Sequence, residues 1–178
     1  MSELRMWCLL AGKEGSGHQT WGAELERGHR LTEKQASAWA AYLTAARLVE
    51  GAMAHWFRVG TALSVGDYHL LRELSVAEGK SLRMGEIAHL LLAPKSRVSY
   101  QVDQLVKRGL VRREPHPDDA RGLVAVLTED GERLLADTTP DYVECVRRHF
   151  FDLLDDDQLE DLERICARLV DRLRAGGR

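Results

Sequence analysis

A helical period runs through most of this chain and breaks once, and that break limits the fold more than any other feature. From Thr32 onward apolar residues recur at steps of three and four. Between Gly109 and Thr128 the pattern turns extended. Leu110, Val111, Arg112, Arg113 and Glu114 form one run, and Leu123, Val124, Ala125, Val126 and Leu127 form another. Pro115, His116, Pro117, Asp118, Asp119, Ala120, Arg121 and Gly122 lie between them. Apolar and β-branched runs around a stretch of turn formers specify a two-stranded hairpin with a polar tip. A lone hairpin among helices offers no β-α-β alternation for a parallel sheet, and no repeat at solenoid spacing is present. The expected fold class is mainly α with a small two-stranded β wing.

Helix-start signals divide the rest. Thr32 and Gln35 have capping-box spacing, and Trp39, Leu43, Ala46, Val49, Met53 and Trp56 then mark one face of a long helix ending near Arg58. Ser64 and Asp67 repeat the signal before Tyr68, Leu70, Leu71 and Leu74, with Gly79 as the stop. A short helix over 85–92 follows, then one opened by Pro94 and closed by Gly109. After the hairpin, Thr128 caps a long helix to about Phe151 with a bend expected near Pro140. The run Asp155, Asp156, Asp157, Gln158 caps a last helix striped by Leu159, Leu162, Ile165, Cys166, Leu169 and Leu173. The expected segments are a flexible arm over 1–31, a helix within 32–62, a unit of helices and hairpin over 63–127, and two terminal helices over 128–178.

The net charge of −3 conceals an uneven distribution. Residues 83–121 carry 8 Lys and Arg against 5 Asp and Glu, whereas residues 122–178 carry 8 against 14. The basic excess sits in one internal stretch, as contact with phosphate requires. No run of apolar residues is long enough to span a membrane, and the first ten residues have no signal-peptide layout, so the expected location is the cytoplasm. Cys8, Cys145 and Cys166 are odd in number and widely spaced, which fits free thiols better than a disulfide framework or zinc ribbon.

Within the basic stretch, Ala88 is small where two helices would cross, and Val98, Val102 and Leu105 would anchor the second helix to a core. Its other face presents Lys95, Ser96, Arg97, Ser99, Tyr100, Gln101 and Gln104. Arg pairs bidentately with guanine and Gln with adenine, so this face suits base edges in the major groove of double-stranded DNA. Taken alone it is equally the solvated side of an amphipathic helix. The hairpin that follows shifts the balance, because a helix-turn-helix joined to a basic hairpin is the winged form. Arg113 adds charge on the first strand, and Arg121 at the tip is placed for a narrow minor groove.

Over roughly 32–174 the chain resembles the MarR family. The marks are Ile87 with Ala88; Ser96, Arg97, Val98 and Ser99; Val102, Asp103, Gln104 and Leu105; and Gly109, Leu110 and Val111. Asp119, Ala120 and Arg121 look like the family's D-x-R wing signature, and Leu127, Thr128, Glu129, Asp130 and Gly131 like its L-T-x-x-G helix start. The resemblance implies a winged helix-turn-helix homodimer in which the first and last helices interlock, with Asp119 holding Arg121. It also implies operator binding relieved by a small-molecule effector or by oxidation. Two departures stand out: Leu92 occupies a turn position commonly held by glycine, and the arm before Thr32 has no counterpart in the family core.

Other residues invite overinterpretation. For the small-molecule crevice that the resemblance implies, His55, Trp56, His69 and Arg72 are the candidates, although core packing accounts for such residues more often. Cys145 and His149 lie four apart, a spacing able to hold a metal, but two ligands do not make a site and no metal is assigned. No phosphate-binding loop, nucleophile elbow, zinc-protease helix or dinucleotide fingerprint occurs, so neither an enzyme nor a cofactor is expected. The competing class is a small-molecule- or metal-binding helical sensor that has lost DNA binding; Lys95, Arg97, Arg113 and Arg121 speak against it.

Overall fold

A computed structural model describes residues 31–116 and 119–176, and of residues 119–121 it describes the backbone alone. All of the expected arm but Leu31 therefore lies outside the described residues. The chain divides into two compact units, one up to Gly51 and one from Ala52.

Helix α1 spans Glu33–Gly60. Thr32 and Gln35 close its start reciprocally, each side chain accepting from the other's backbone N–H at 3.2 and 2.9 Å. In the first unit, Trp39 and Tyr42 stack on one another at 5.6 Å and stay exposed.

In the second unit, α2 spans Val65–Val76 and begins with the capping box that Ser64 and Asp67 specify. It ends earlier than expected, at Val76. Gly79 instead takes φ +60° inside a short 3-10 turn, Glu78–Lys80, that redirects the chain. That turn feeds a strand absent from the sequence expectations, β1 at Ser81–Arg83. Three residues are too few for an alternation to be read, and their partner lies some forty residues on. Helices α3 (Met84–Leu90) and α4 (Lys95–Lys107) follow, then β2 (Val111–His116) and β3 (Asp119–Leu127). The sheet is antiparallel with order β1-β3-β2: β2 and β3 are the expected two-stranded hairpin, and β1 adds a third strand at its edge. Leu82 sits opposite Ala125, and Arg113 opposite the same Ala125 on the other side.

Helix α5 spans Glu129–His149 and passes through Pro140. The Thr128 side chain accepts from the Gly131 N–H at 3.1 Å and donates to the Gly109 carbonyl at 2.7 Å, joining the new helix to the end of α4. After a 3-10 turn at Phe151–Leu153, α6 spans Asp156–Gly176, with Asp155 and Gln158 capping each other.

The core of this unit gathers Phe57, Leu70, Leu71, Leu74, Ile87, Val98, Val102, Leu105, Val111 and Ala125, all without measurable or with minimal exposure. Each fully buried aliphatic contributes roughly 1.5–3 kcal/mol of burial, enough to fix α4 by three anchors. Two turns flanking α4 set its direction. Gly109, at φ +74°, ends it in a Schellman arrangement, Leu110 N–H to Leu105 and Gly109 N–H to Val106. The same pattern ends α3, with Ala93 N–H to Ala88 and Leu92 N–H to His89, but Leu92 takes the left-handed position at φ +48°. The departure from glycine therefore keeps the turn and strains one residue.

Candidate nucleic-acid interface

Helix α4 presents its polar face because its apolar face is committed. Val98, Val102 and Leu105 are fully buried, and the opposite side exposes Lys95, Ser96, Arg97 and Tyr100. Ser99, Gln101 and Gln104 are half-buried on its flanks. The first turn carries no acidic residue, and Pro94 at its N-cap has no side-chain acceptor, so the positive end of the helix is not neutralised from within. Tyr100 is 67% exposed and Leu92, just ahead of the helix, 86% exposed, giving a mixed basic and apolar rim.

Two of the sequence candidates turn inward. Gln101 donates from Nε2 to Asp67 Oδ1 at 3.2 Å. The other oxygen of Asp67 accepts from the Ser64 N–H at 3.2 Å and faces Arg108 Nη1 at 3.7 Å. Gly66 makes room for this contact: a Cβ there would lie 3.0 Å from Gln101 Nε2. Arg108 also donates to the Ala62 carbonyl at 2.6 Å. Arg113 leaves β2 toward α4, where Nη1 meets Asp103 Oδ1 at 2.9 Å and Nη2 reaches the carbonyl and hydroxyl of Ser99 at 3.3 Å. Its Nε is buried with no hydrogen-bond partner among the described residues.

Asp67, Asp103 and Arg108 were not among the DNA-contact candidates read from the sequence. Asp67 was legible as a cap; its second task depends on a partner 34 residues away. The side chains of Asp119 and Arg121 lie outside the described residues, and their backbone belongs to β3.

The four effector candidates fall into separate environments. His55 is exposed and paired with Arg58 Nη2 at 3.0 Å. Trp56 is half-buried, with the His149 ring edge-on at 5.7 Å and the Arg148 guanidinium over its face at 5.4 Å. His69 is half-buried with Nε2 3.4 Å from the Tyr142 hydroxyl. Burial, then the charge of Arg72, lowers its pKa below the usual histidine value, with Glu73 acting weakly the other way. Arg72 itself is exposed and paired with Glu73 at 3.0 Å. Tyr142, missed in the sequence, stacks on Tyr68 at 4.3 Å and meets Phe57 edge-on. Its signal was present in the stripe Gly131, Leu135, Thr138, Tyr142, Cys145 and His149. Burial pushes the Tyr142 hydroxyl and the Cys145 thiol upward in pKa, opposite to the direction that makes a thiol reactive. Cys145 Sγ lies 3.7 Å from His149 Nδ1, and no group of three metal-ligating side chains occurs among the described residues. None of the described helices is long and apolar enough to cross a membrane.

A MarR family model matches residues 63–122. The chain is similar in structure to AbsC, a MarR family transcriptional regulator from Streptomyces coelicolor, at 36% identity and a TM-score of 0.76. The match covers 82% of this chain and 97% of that one. It is equally similar to Sco3205, a MarR family regulator from the same organism solved in complex with DNA, at 34% identity and TM-score 0.76 over 80% and 93% of the two chains. Transcriptional repressor MprA of Escherichia coli (strain K12) is 28% identical over 100 residues. That match takes in 56% of either chain, so little more than half the length of this curated relative is spanned.

Proposed function

This chain belongs to the MarR family, and on that footing we propose that it is a sequence-specific transcriptional regulator, acting as a repressor, that binds duplex DNA as a homodimer. The observation that carries the reading is the division of α4, with Val98, Val102 and Leu105 fully buried and Lys95, Ser96, Arg97 and Tyr100 turned out. In the major groove Arg97 and Ser96 read base edges, Lys95 meets phosphate, and Gln104 reaches the flank. Arg121, held by Asp119, enters the neighbouring minor groove, as the wing signature implies. Ser99, Gln101 and Arg113 border this surface.

Dimerisation rests on apolar faces that one chain leaves in water. No residue of α6 is buried, and Ile165, Leu169 and Leu173 are each more than half exposed. Covering such a side chain contributes roughly 1.5–3 kcal/mol, so a stripe of them is a strong incentive to pair. Two recognition helices then meet half-sites about one DNA turn apart, roughly 10 base pairs, on a pseudo-palindrome. A small-molecule effector releases the operator, with His55, Trp56, His69 and Arg72 as its candidate contacts, and the protein works in the cytoplasm without catalytic activity of its own.

Selection from a random duplex library followed by footprinting tests this reading. The expected outcome is a pseudo-palindromic site protected over two half-sites, with sedimentation giving a dimer at micromolar concentration. Failure to enrich any sequence, or a stable monomer, would overturn it.

A further inference from the structure

We propose that Arg113 is a positioning residue, not a DNA contact: with Asp103 and Ser99 it clamps the sheet to one flank of α4 and sets the rotation at which Arg97 meets base edges. The inference rests on the DNA-binding reading above and deepens it.

Ser99 and Asp103 are four apart in α4 and therefore lie on one flank, a turn above each other. Arg113 arrives from β2 and spans that turn, with Nη1 on the Asp103 carboxylate at 2.9 Å and Nη2 on the Ser99 carbonyl and hydroxyl at 3.3 Å. A planar fork engaged on both terminal nitrogens has given up the geometry it would need for a phosphate or a guanine. The cost of this placement is visible in its Nε, buried with no partner among the described residues. The opposite flank of α4 is tied in parallel by Gln101 to Asp67, whose carboxylate also caps α2 and faces Arg108. Three apolar anchors fix the depth of α4; these polar ties on either side fix its roll. A small rotation about a helix axis moves an outward guanidinium by ångströms, enough to lose a bidentate contact.

A direct phosphate contact and a clamp predict opposite signs. Asp103→Asn removes a negative charge beside the DNA face. If Arg113 bound phosphate, that change would tighten binding to every duplex. The clamp predicts that Asp103→Asn weakens binding to the selected duplex on the order of tenfold, with little effect on a scrambled one. Arg113→Lys keeps the charge but lacks the fork, and is expected to lose affinity as Arg113→Met does. The double variant Asp103→Asn/Arg113→Met should be no weaker than the poorer single, because both act through one contact. Across a salt series, the slope of log K on log[salt] stays at the wild-type value in Arg113→Met. A slope reduced by about 0.9 per contact, or tighter binding by Asp103→Asn, would overturn the proposal.

Amide exchange on the DNA-free protein separates this from failure of the DNA reading. Asp103→Asn and Arg113→Met should each speed exchange across α4 while leaving α5 unchanged. Unaltered exchange in α4 would overturn the clamp even if no duplex were ever found.

Discussion

Gly131→Ala is a substitution for which local and tertiary physics disagree in sign. Gly131 lies in the first turn of α5, and by helix propensity alone alanine there stabilises by about 1 kcal/mol. The surroundings dictate the reverse. A Cβ at Gly131 would stand 2.2 Å from the Leu110 carbonyl oxygen and 2.7 Å from Leu127 Cδ1. The nearer atom is backbone, held because it accepts the Thr128 N–H at 3.2 Å in the junction joining α4 to α5. Relief requires an opening of about 1 Å in a packed junction, which costs about 1–3 kcal/mol, and stretching that hydrogen bond adds about 1. After the propensity gain, a net loss of about 1–3 kcal/mol remains. For a chain of this length each kcal/mol lowers Tm by about 2–4 °C, read at one fixed protein concentration so that any self-association contributes equally. Gly85→Ala is the matched control: nothing lies within 4 Å of a Cβ there, so it should stabilise by up to about 1 kcal/mol. Denaturant titration of both variants gives the comparison. A Gly131→Ala protein as stable as Gly85→Ala would refute the junction as described.

Leu92→Gly removes a left-handed strain of about 1–2 kcal/mol against a glycine entropy cost of about 0.5–1, so it should raise stability by about 0.5–1 kcal/mol in urea unfolding. His69 has a folded pKa below its unfolded one, so the unfolded chain binds the proton more readily as pH falls. Its contribution is fully present above about pH 6.5 and is lost as pH drops through the lowered folded value. The drop in Tm between pH 7.5 and pH 5 should shrink in His69→Asn; an identical drop would remove His69 from the account. Arg121→Ala should weaken DNA binding and flatten the salt dependence by about 0.9 per contact, leaving sedimentation unchanged. An unaltered slope and affinity would mean that the wing does not touch DNA.

Where an element is specified by its own residues, it was legible in the sequence. The period of Val98, Val102 and Leu105 placed the buried face of α4, and the caps at Thr32, Ser64, Thr128 and Asp155 placed four helix starts. What escaped depends on partners far along the chain. The strand β1 exists because β3 offers an edge to Ser81, Leu82 and Arg83, and three residues carry no pattern of their own. Arg113 reads as one more basic residue in a basic stretch until the fold puts Asp103 and Ser99 beside it. Gln101, likewise suited to adenine by type, is drawn to Asp67 from a helix more than thirty residues earlier. Side-chain chemistry was visible at every one of these positions, but the direction each side chain takes was not.

The most direct test of the proposed function is a titration of wild type and Arg97→Ala against the selected duplex and a scrambled one of equal length. Arg97 is exposed on the outward face of a helix whose other face is fully anchored. Loss of a bidentate base contact should cost about 1–3 kcal/mol on the selected duplex and far less on the scrambled one. Equal losses on both would show that α4 touches only phosphate and would contradict sequence reading by this helix.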